Sequence, residues 1–464
     1  MSTTLTPERE AQAQELATKM KEQAGDQFLA VARLLVATEE RTLFGQTEFD
    51  VRDQVLKLVG QAYSLHLAQK KNGYRGASID CPQCGQAAPH HSYRERNPQS
   101  LGGLIPCSRA YYYCRSCGKG FFPWDELVGL SERNLTPALE QLTALTGGVA
   151  DSFEKGSDLL AKTTGVRLCE STVERTTETV GERIAAKLGA GKTFGAKKPW
   201  DWYRDAQGRT VGYLGLDATG VPQQGPGGAE ADHRMAYVGM VYNPLPDRER
   251  VFEGLPKPGE TMKARYVSGL YPLAEMGPLL RRQAGQVGLD DAEVWIALTD
   301  GGSGLEPFME ANFPRVEAVI VDYWHASEYV AKLASALHPD DAEQAQVQRQ
   351  EWKRLLKEEG GWALLAVWDA WEWPPRRAGL REVLDEVLGY FRNQGHRMEY
   401  PEYEANGWCI GSGAVESACK TVVGARLKGA GMRWSEGGAH AVCHVRALYR
   451  SEPGQWEAFW QLVF

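Results

Sequence analysis

Two cysteine pairs constrain this chain more tightly than any other feature. Cys81-Pro82-Gln83-Cys84-Gly85 and Cys114-Arg115-Ser116-Cys117-Gly118 repeat one spacing, with 29 residues between them. A two-residue spacer lets both thiolates of a pair face one tetrahedral ion, and the glycine that follows lets backbone N–H groups turn toward the sulfurs. The expectation is a four-cysteine zinc ribbon over residues 76–125, with Cys81, Cys84, Cys114 and Cys117 as ligands of Zn²⁺. The other five of the nine cysteines are scattered, and an odd number in 464 residues does not describe a disulfide framework.

Around the ribbon the hydrophobic period changes twice. Residues 1–75 read as a helical N-terminal region, with apolar side chains at helical spacing through Leu29, Leu34 and Leu35 and again through Val55, Leu58 and Val59. Residues 126–200 are helical again, and a linker is expected near Gly189-Ala190-Gly191 and Pro199. From 205 to 326 strands dominate. Val211–Leu216 is expected as a strand closed by Asp217, Met235–Tyr242 as a second and Arg250–Glu253 as a third. A helix over Ala264–Gly285 follows, then apolar strands ending at Asp300 and Asp322. This is a mixed α/β sheet. Residues 327–406 read as an all-α insertion carrying five tryptophans, and 407–464 as Gly-punctuated final helices.

Within 126–200, Ser157–Lys162 and a helix starting near Glu170 flank Thr163-Thr164-Gly165, a helix-turn-helix spacing in which Val166 and Leu168 fill the angle. The second helix would offer Thr172, Arg175, Thr176 and Thr179 to a groove, with Arg175 as the DNA-binding candidate. In the strand region, Asp217, Asp300 and Glu416 form the sharpest constellation. If the first and fourth strands are neighbours, two carboxylates converge at one sheet edge, and the helix carrying Glu416 can cross it. Three hard oxygen ligands suit Mg²⁺ or Mn²⁺, and two such ions can drive an in-line phosphoryl displacement.

The knuckles, Leu216-Asp217-Ala218-Thr219-Gly220, Thr299-Asp300-Gly301-Gly302-Ser303-Gly304-Leu305, Val321-Asp322-Tyr323-Trp324-His325 and Gly411-Ser412-Gly413-Ala414-Val415-Glu416-Ser417 together resemble the DDE transposases of prokaryotic insertion sequences. The ISKra-type group, related to the Mutator-like and hAT-like transposases, is the nearest match, over roughly residues 75–450. The resemblance implies an α/β, RNase H-like mixed-sheet catalytic core interrupted by the all-α insertion and preceded by the ribbon and the helical region. It implies Asp217 and Asp300 as catalytic aspartates and Glu416 as the third Mg²⁺ ligand. Asp322 and His325 match a D-x-x-H signature and stand as supporting active-site residues. A rival assignment takes Asp322 as the second acid; Asp300 is preferred because the RNase H-like sheet carries that acid after its fourth strand.

The implied partners are double-stranded DNA, as terminal inverted repeats and target, and further copies of the chain in a homodimer or larger assembly. A nuclease or resolvase without strand transfer and a zinc-dependent DNA-binding regulator are the alternatives. No apolar run is long enough to span a membrane and no signal layout opens the chain, so a soluble, cytoplasmic, nucleoid-associated protein is expected. A formal charge of −8, from 60 acidic and 52 basic residues, taken alone argues against DNA. By segment it divides into an acidic insertion, a basic stretch in the ribbon and another along the final helices, where Lys420, Arg426, Lys428 and Arg433 are expected to hold phosphates and Trp434 to stack on an unpaired base.

Overall fold

The computed structural model describes residues 5–42, 44–68, 70–130, 132–244, 262–302, 304–374, 378–452 and 454–461. It divides into two units, Met1–Thr177 with Trp460–Phe464, and Glu178–Phe459. The division falls inside the helix Glu170–Gly189. The second unit claims the helix's later half because Gly181 meets the backbone of Ala441, where a Cβ would come within 2.2 Å of a carbonyl oxygen. The stretch expected as a linker also packs there: Lys198 and Trp200 donate their N–H groups to the carbonyls of Gln286 and Val287.

In the first unit, a hairpin of α1 (Pro7–Ala37) and α2 (Gln46–Ala68) precedes a four-stranded antiparallel sheet. Its strands, β1 (Ser78–Asp80), β2 (Ala87–Arg96), β3 (Cys107–Cys114) and β4 (Lys119–Phe121), lie in sequential order. Ala88, Ala110 and Tyr112 form their small core together with Cys81 and Cys114. Helices Pro137–Val149 and Phe153–Thr164 follow. Gly165 ends the latter in the left-handed region at φ 76°, and Val166 is buried behind it, as the helix-turn-helix spacing predicts.

The second unit is built on β5 (Thr210–Gln224), β6 (Glu230–Asn243), β7 (Lys263–Gly269), β8 (Val294–Thr299) and β9 (Val316–Val321), in the order β7-β6-β5-β8-β9. β6 runs antiparallel to both neighbours, and the β5–β8 and β8–β9 pairs are parallel. β8 is buried along its whole length, as a parallel strand covered on both faces must be.

Two expectations need correction. The third strand is Lys263–Gly269, where the apolar spacing predicts a helix; the helix begins at Leu273. Ala264 and Val267 carry apolar spacing that either period can accommodate, and pairing with β6 from Asn243 to Tyr237 decides for the strand. The expected strand Arg250–Glu253 lies outside the described residues. Asp217 does not close β5, which runs on to Gln224 paired with β6; it lies two residues past Gly215, the last position matched by β8.

Residues 323–405 form the helices Tyr323–Leu337, Ala342–Glu359, Gly361–Asp369, Ala378–Gln394 and Tyr400–Ala405. Trp352, Trp368, Trp371 and Trp373 meet edge to face or tilted, with centroids 5.4–6.3 Å apart around Trp352. The helix Gly413–Ala418 then lies over β5, with Val415 against Gly215, where a Cβ would come within 2.3 Å of the Val415 side chain. Gly215→Val should therefore destabilise the second unit by about 1–3 kcal/mol, read as an earlier unfolding transition in urea.

Candidate functional site

The four cysteines come together. Sγ of Cys81 lies 3.7 Å from that of Cys117 and Sγ of Cys84 3.6 Å from that of Cys114, and all four sulfurs are within 4.8 Å of one another. Each knuckle turns on its glycine. Gly85 and Gly118, at φ 70° and 69°, donate their N–H groups to the carbonyls of Cys81 and Cys114 over 2.9 Å. The Cys117 N–H is the largest influence holding the Cys114 thiol below its ordinary range, while the neighbouring Cys84 and Cys117 thiols are pushed up. This cluster, with Cys81 and Cys114 buried and Cys84 at the surface, can hold a metal ion.

The basic character expected beside it is largely consumed. Arg109 is buried over the Phe122 ring and pairs with Asp125, and Arg96 reaches the same carboxylate at 2.9 Å. Arg94 stacks on Tyr111, 3.6 Å from its centroid. Arg115 and Lys119 remain exposed. In the helix Glu170–Gly189, Arg175 is exposed, but Thr176 is fully buried, which corrects its assignment to a groove-facing surface.

At the sheet, the register brings Asp217 and Asp300 side by side. Leu298 is opposite Gly215, so each aspartate lies two residues beyond the last matched pair of β5 and β8. Burial raises the Asp217 carboxyl above its ordinary range, and the Asp300 charge adds to the rise; hydrogen bonds from Cys419 and the Ala218 N–H, and His325 nearby, pull it back. Cys419, buried below Asp217, has its thiol pushed up by burial and by the two aspartates. Nothing in the residue pattern signals this thiol. Its position three residues after Glu416 is the only hint.

Asp322 has a different environment. It is buried and caps the helix Tyr323–Leu337, taking the Trp324 N–H on Oδ1 at 2.9 Å and the Ser412 hydroxyl on Oδ2 at 2.6 Å. His325, on the first turn of that helix, faces the rings of Tyr329 and Tyr390 and lies 3.7 Å from Glu328. Glu416 is mostly exposed and pairs with Lys420 at 2.6 Å. Among the described residues, only the four cysteines form a group of three or more His, Cys, Asp or Glu ligands within one ion's reach. The expected convergence of Asp217, Asp300 and Glu416 is thus realised for the two aspartates and not for the glutamate, whose side chain is turned to its lysine.

The helical insertion holds the loop that carries Asp300. Tyr390 and Gln394 donate to the carbonyls of Asp300 and Gly301 at 3.4 and 3.3 Å, and buried Arg397 bonds Val319 O and the Thr299 hydroxyl. Tyr400 reaches Val321 O at 3.0 Å. On the other side the chain widens into a π-helix over Cys419–Gly424, whose Thr421 and Val422 carbonyls are taken by the buried Arg446.

Two of the DNA-binding candidates are corrected. Arg426 is buried with its guanidinium 4.8 Å above the Trp434 ring, and Trp434 is buried with its Nε1–H donated to Leu427 O. Trp434 also exchanges backbone bonds with Pro222 and Gln224, so it seals the end of β5 and cannot stack on a base. Lys420 is exposed; Lys428 donates to the Thr219 hydroxyl and Arg433 to Gly228 O and Glu230.

No family model matches the chain, and no curated protein matches it.

The environment of Asp217 has a measurable consequence. In the unfolded chain its carboxyl titrates near 3.8, and in the fold it titrates higher. Its favourable contribution is therefore complete below about 3.8 and is lost as pH rises through the folded value. Asp217→Asn should raise the melting temperature at pH 7, and the gain should vanish as pH falls below the ordinary carboxylate range; a lower melting temperature at pH 7 would show that the acid is stabilising there.

Proposed function

We propose that this protein is a metal-dependent DNA transposase of the DDE type, with an RNase H-like core, which cleaves at element ends and transfers the 3′-OH to target DNA. The observation that carries this reading is the placing of Asp217 on β5 and Asp300 just past the end of its parallel neighbour β8, in a sheet whose main strands run in the order 3-2-1-4-5 with the second antiparallel to the first and third. Two carboxylates held together against burial and mutual repulsion make a site suited to a cation. Asp322 has both oxygens engaged, one capping its helix and the other taking the Ser412 hydroxyl, which favours Asp300 as the second acid and gives Asp322 the task of setting the helix that presents His325.

Mg²⁺ or Mn²⁺ bound there would supply a Lewis acid for phosphoryl transfer. Asp217 and Asp300 would be its ligands. Glu416, on the helix packed over Gly215, would join them by exchanging Lys420 for the metal. Lys420, Lys428 and Arg433 would face the phosphates flanking the cut, and Arg175 those of the end sequence. Cys419 orients Asp217 through its hydrogen bond, and Tyr390 and Gln394 fix the height of the Asp300 loop.

For the cysteine cluster we propose Zn²⁺. A tetrahedron with metal–sulfur bonds of about 2.3 Å has edges of about 3.8 Å, close to the sulfur separations of 3.6 and 3.7 Å. One zinc per chain is expected from elemental analysis of the purified protein. Cys114→Ser should remove it and unfold the ribbon, seen as loss of protease resistance in residues 76–125.

The decisive experiment is strand transfer with Mg²⁺ on DNA carrying the element ends. Asp217→Asn, Asp300→Asn and Glu416→Gln should each lower the rate at least about a hundredfold, while Asp322→Asn should act chiefly through stability. Active Asp300→Asn with dead Asp322→Asn would reverse the assignment of the second acid. Cleavage without joining would identify a nuclease, and binding without cleavage a regulator.

A further inference from the structure

The N-terminal hairpin has a property that the proposed chemistry does not use. α1 is the longest helix described, 31 residues, and not one of them is buried. Its second half, Gln27-Phe28-Leu29-Ala30-Val31-Ala32-Arg33-Leu34-Leu35-Val36, contains a single charge. Phe28 is 62 % exposed, Val36 88 % and Phe44, in the turn to α2, 84 %. On α2, Val55, Val59 and Tyr63 recur every four residues and are exposed as well. Between the helices Met20, Ala24, Phe28, Leu58, Ala62 and Leu65 line an apolar groove of about 330 Å³.

A helix this long draws its stability in water from a covered apolar face, and exposed apolar surface this contiguous marks an interaction site. Two antiparallel helices with one open apolar side are half of a four-helix bundle, and a two-fold axis through that side completes it with a second copy. We infer that the α1–α2 hairpin is a self-association surface, each copy covering the apolar face of the other.

Size and charge support this occupant. From Met20 to Val36 at 1.5 Å per residue the face is about 24 Å long, and two adjacent helices make it about 20 Å wide. That is about 500 Å² from each copy and about 1,000 Å² for the pair, which reaches the lower bound of a specific interface. The face carries Arg33 as its lone charge within 27–36, the groove is lined by Lys21 as its one charged residue, and Glu15 and Lys19 on the flank are paired with each other at 2.6 Å, so no basic cluster suited to phosphates forms here. The inference is independent of the transposase reading, since it uses none of the residues of the second unit.

Sedimentation velocity of the full-length protein across about 1–100 µM should show monomers converting to dimers, the affinity expected of an interface this small. Val36→Glu and, separately, Phe44→Glu should each weaken association at least about tenfold. Both variants should keep the helical circular dichroism of the wild type, which shows that they are folded. A monomer over the whole range, or a dimer indifferent to the charges at both positions, would overturn the inference whatever the catalytic assays give.

Discussion

The parallel pairing of β5 with β8 is the constraint on which the second unit depends. It runs from Val211 opposite Val294 to Gly215 opposite Leu298 and then stops, because β8 ends at Thr299 while β5 continues along β6. Where the pairing stops, one side of β5 is open and the backbone after Thr299 is free to turn through Gly301, at φ 82°. Asp217 and Asp300 occupy that opening. Gly215, immediately before it, has no side chain, and the helix Gly413–Ala418 uses the space to place Val415 against the strand. A missing Cβ thus sets how closely the helix carrying Glu416 and leading to Cys419 approaches the two aspartates.

The all-α segment between β9 and that helix does more than extend the chain. Its tryptophan cluster packs its helices together, and its last helices return polar side chains to the sheet. Tyr390, Gln394, Arg397 and Tyr400 together satisfy the carbonyls of Val319 and Val321 in β9 and of Asp300 and Gly301 in the loop after β8. These carbonyls would otherwise be partly buried without donors, at a cost of about 1–3 kcal/mol each. The insertion therefore stabilises the conformation in which Asp300 is held beside Asp217, against the repulsion of the two charges.

Regional charge predicts less than it first suggests, because side-chain geometry decides which charges reach solvent. Arg96 and Arg109 of the ribbon share Asp125, which lies just past the basic stretch. Arg426 and Arg446 of the final helices are buried, one over Trp434 and one on the carbonyls of the π-helix. What remains at the surface of these two stretches is a smaller set, Arg94, Arg115 and Lys119 in one unit and Lys420, Lys428, Arg433 and Arg450 in the other.

Local chemistry that acts within a few residues is legible in the sequence. The two knuckles need only C-x-x-C-G to fix their turns, and the helix pair around Gly165 needs only a glycine at a left-handed position. Apolar runs with a period of two or with none mark β5, β6, β8 and β9, since burial on one or both faces leaves that imprint. The third strand escapes such a reading because Ala264 and Val267 fit either period, and its pairing with β6 is a contact the chain cannot announce locally. The extension of β5 past Asp217, the pairing of Glu416 with Lys420, the burial of Trp434, and Cys419 beneath Asp217 are all decided by tertiary packing. Each depends on which distant segment covers a side chain. The sequence determined which residue types were available for a metal site and for a sheet, and the packed structure decided which of them meet.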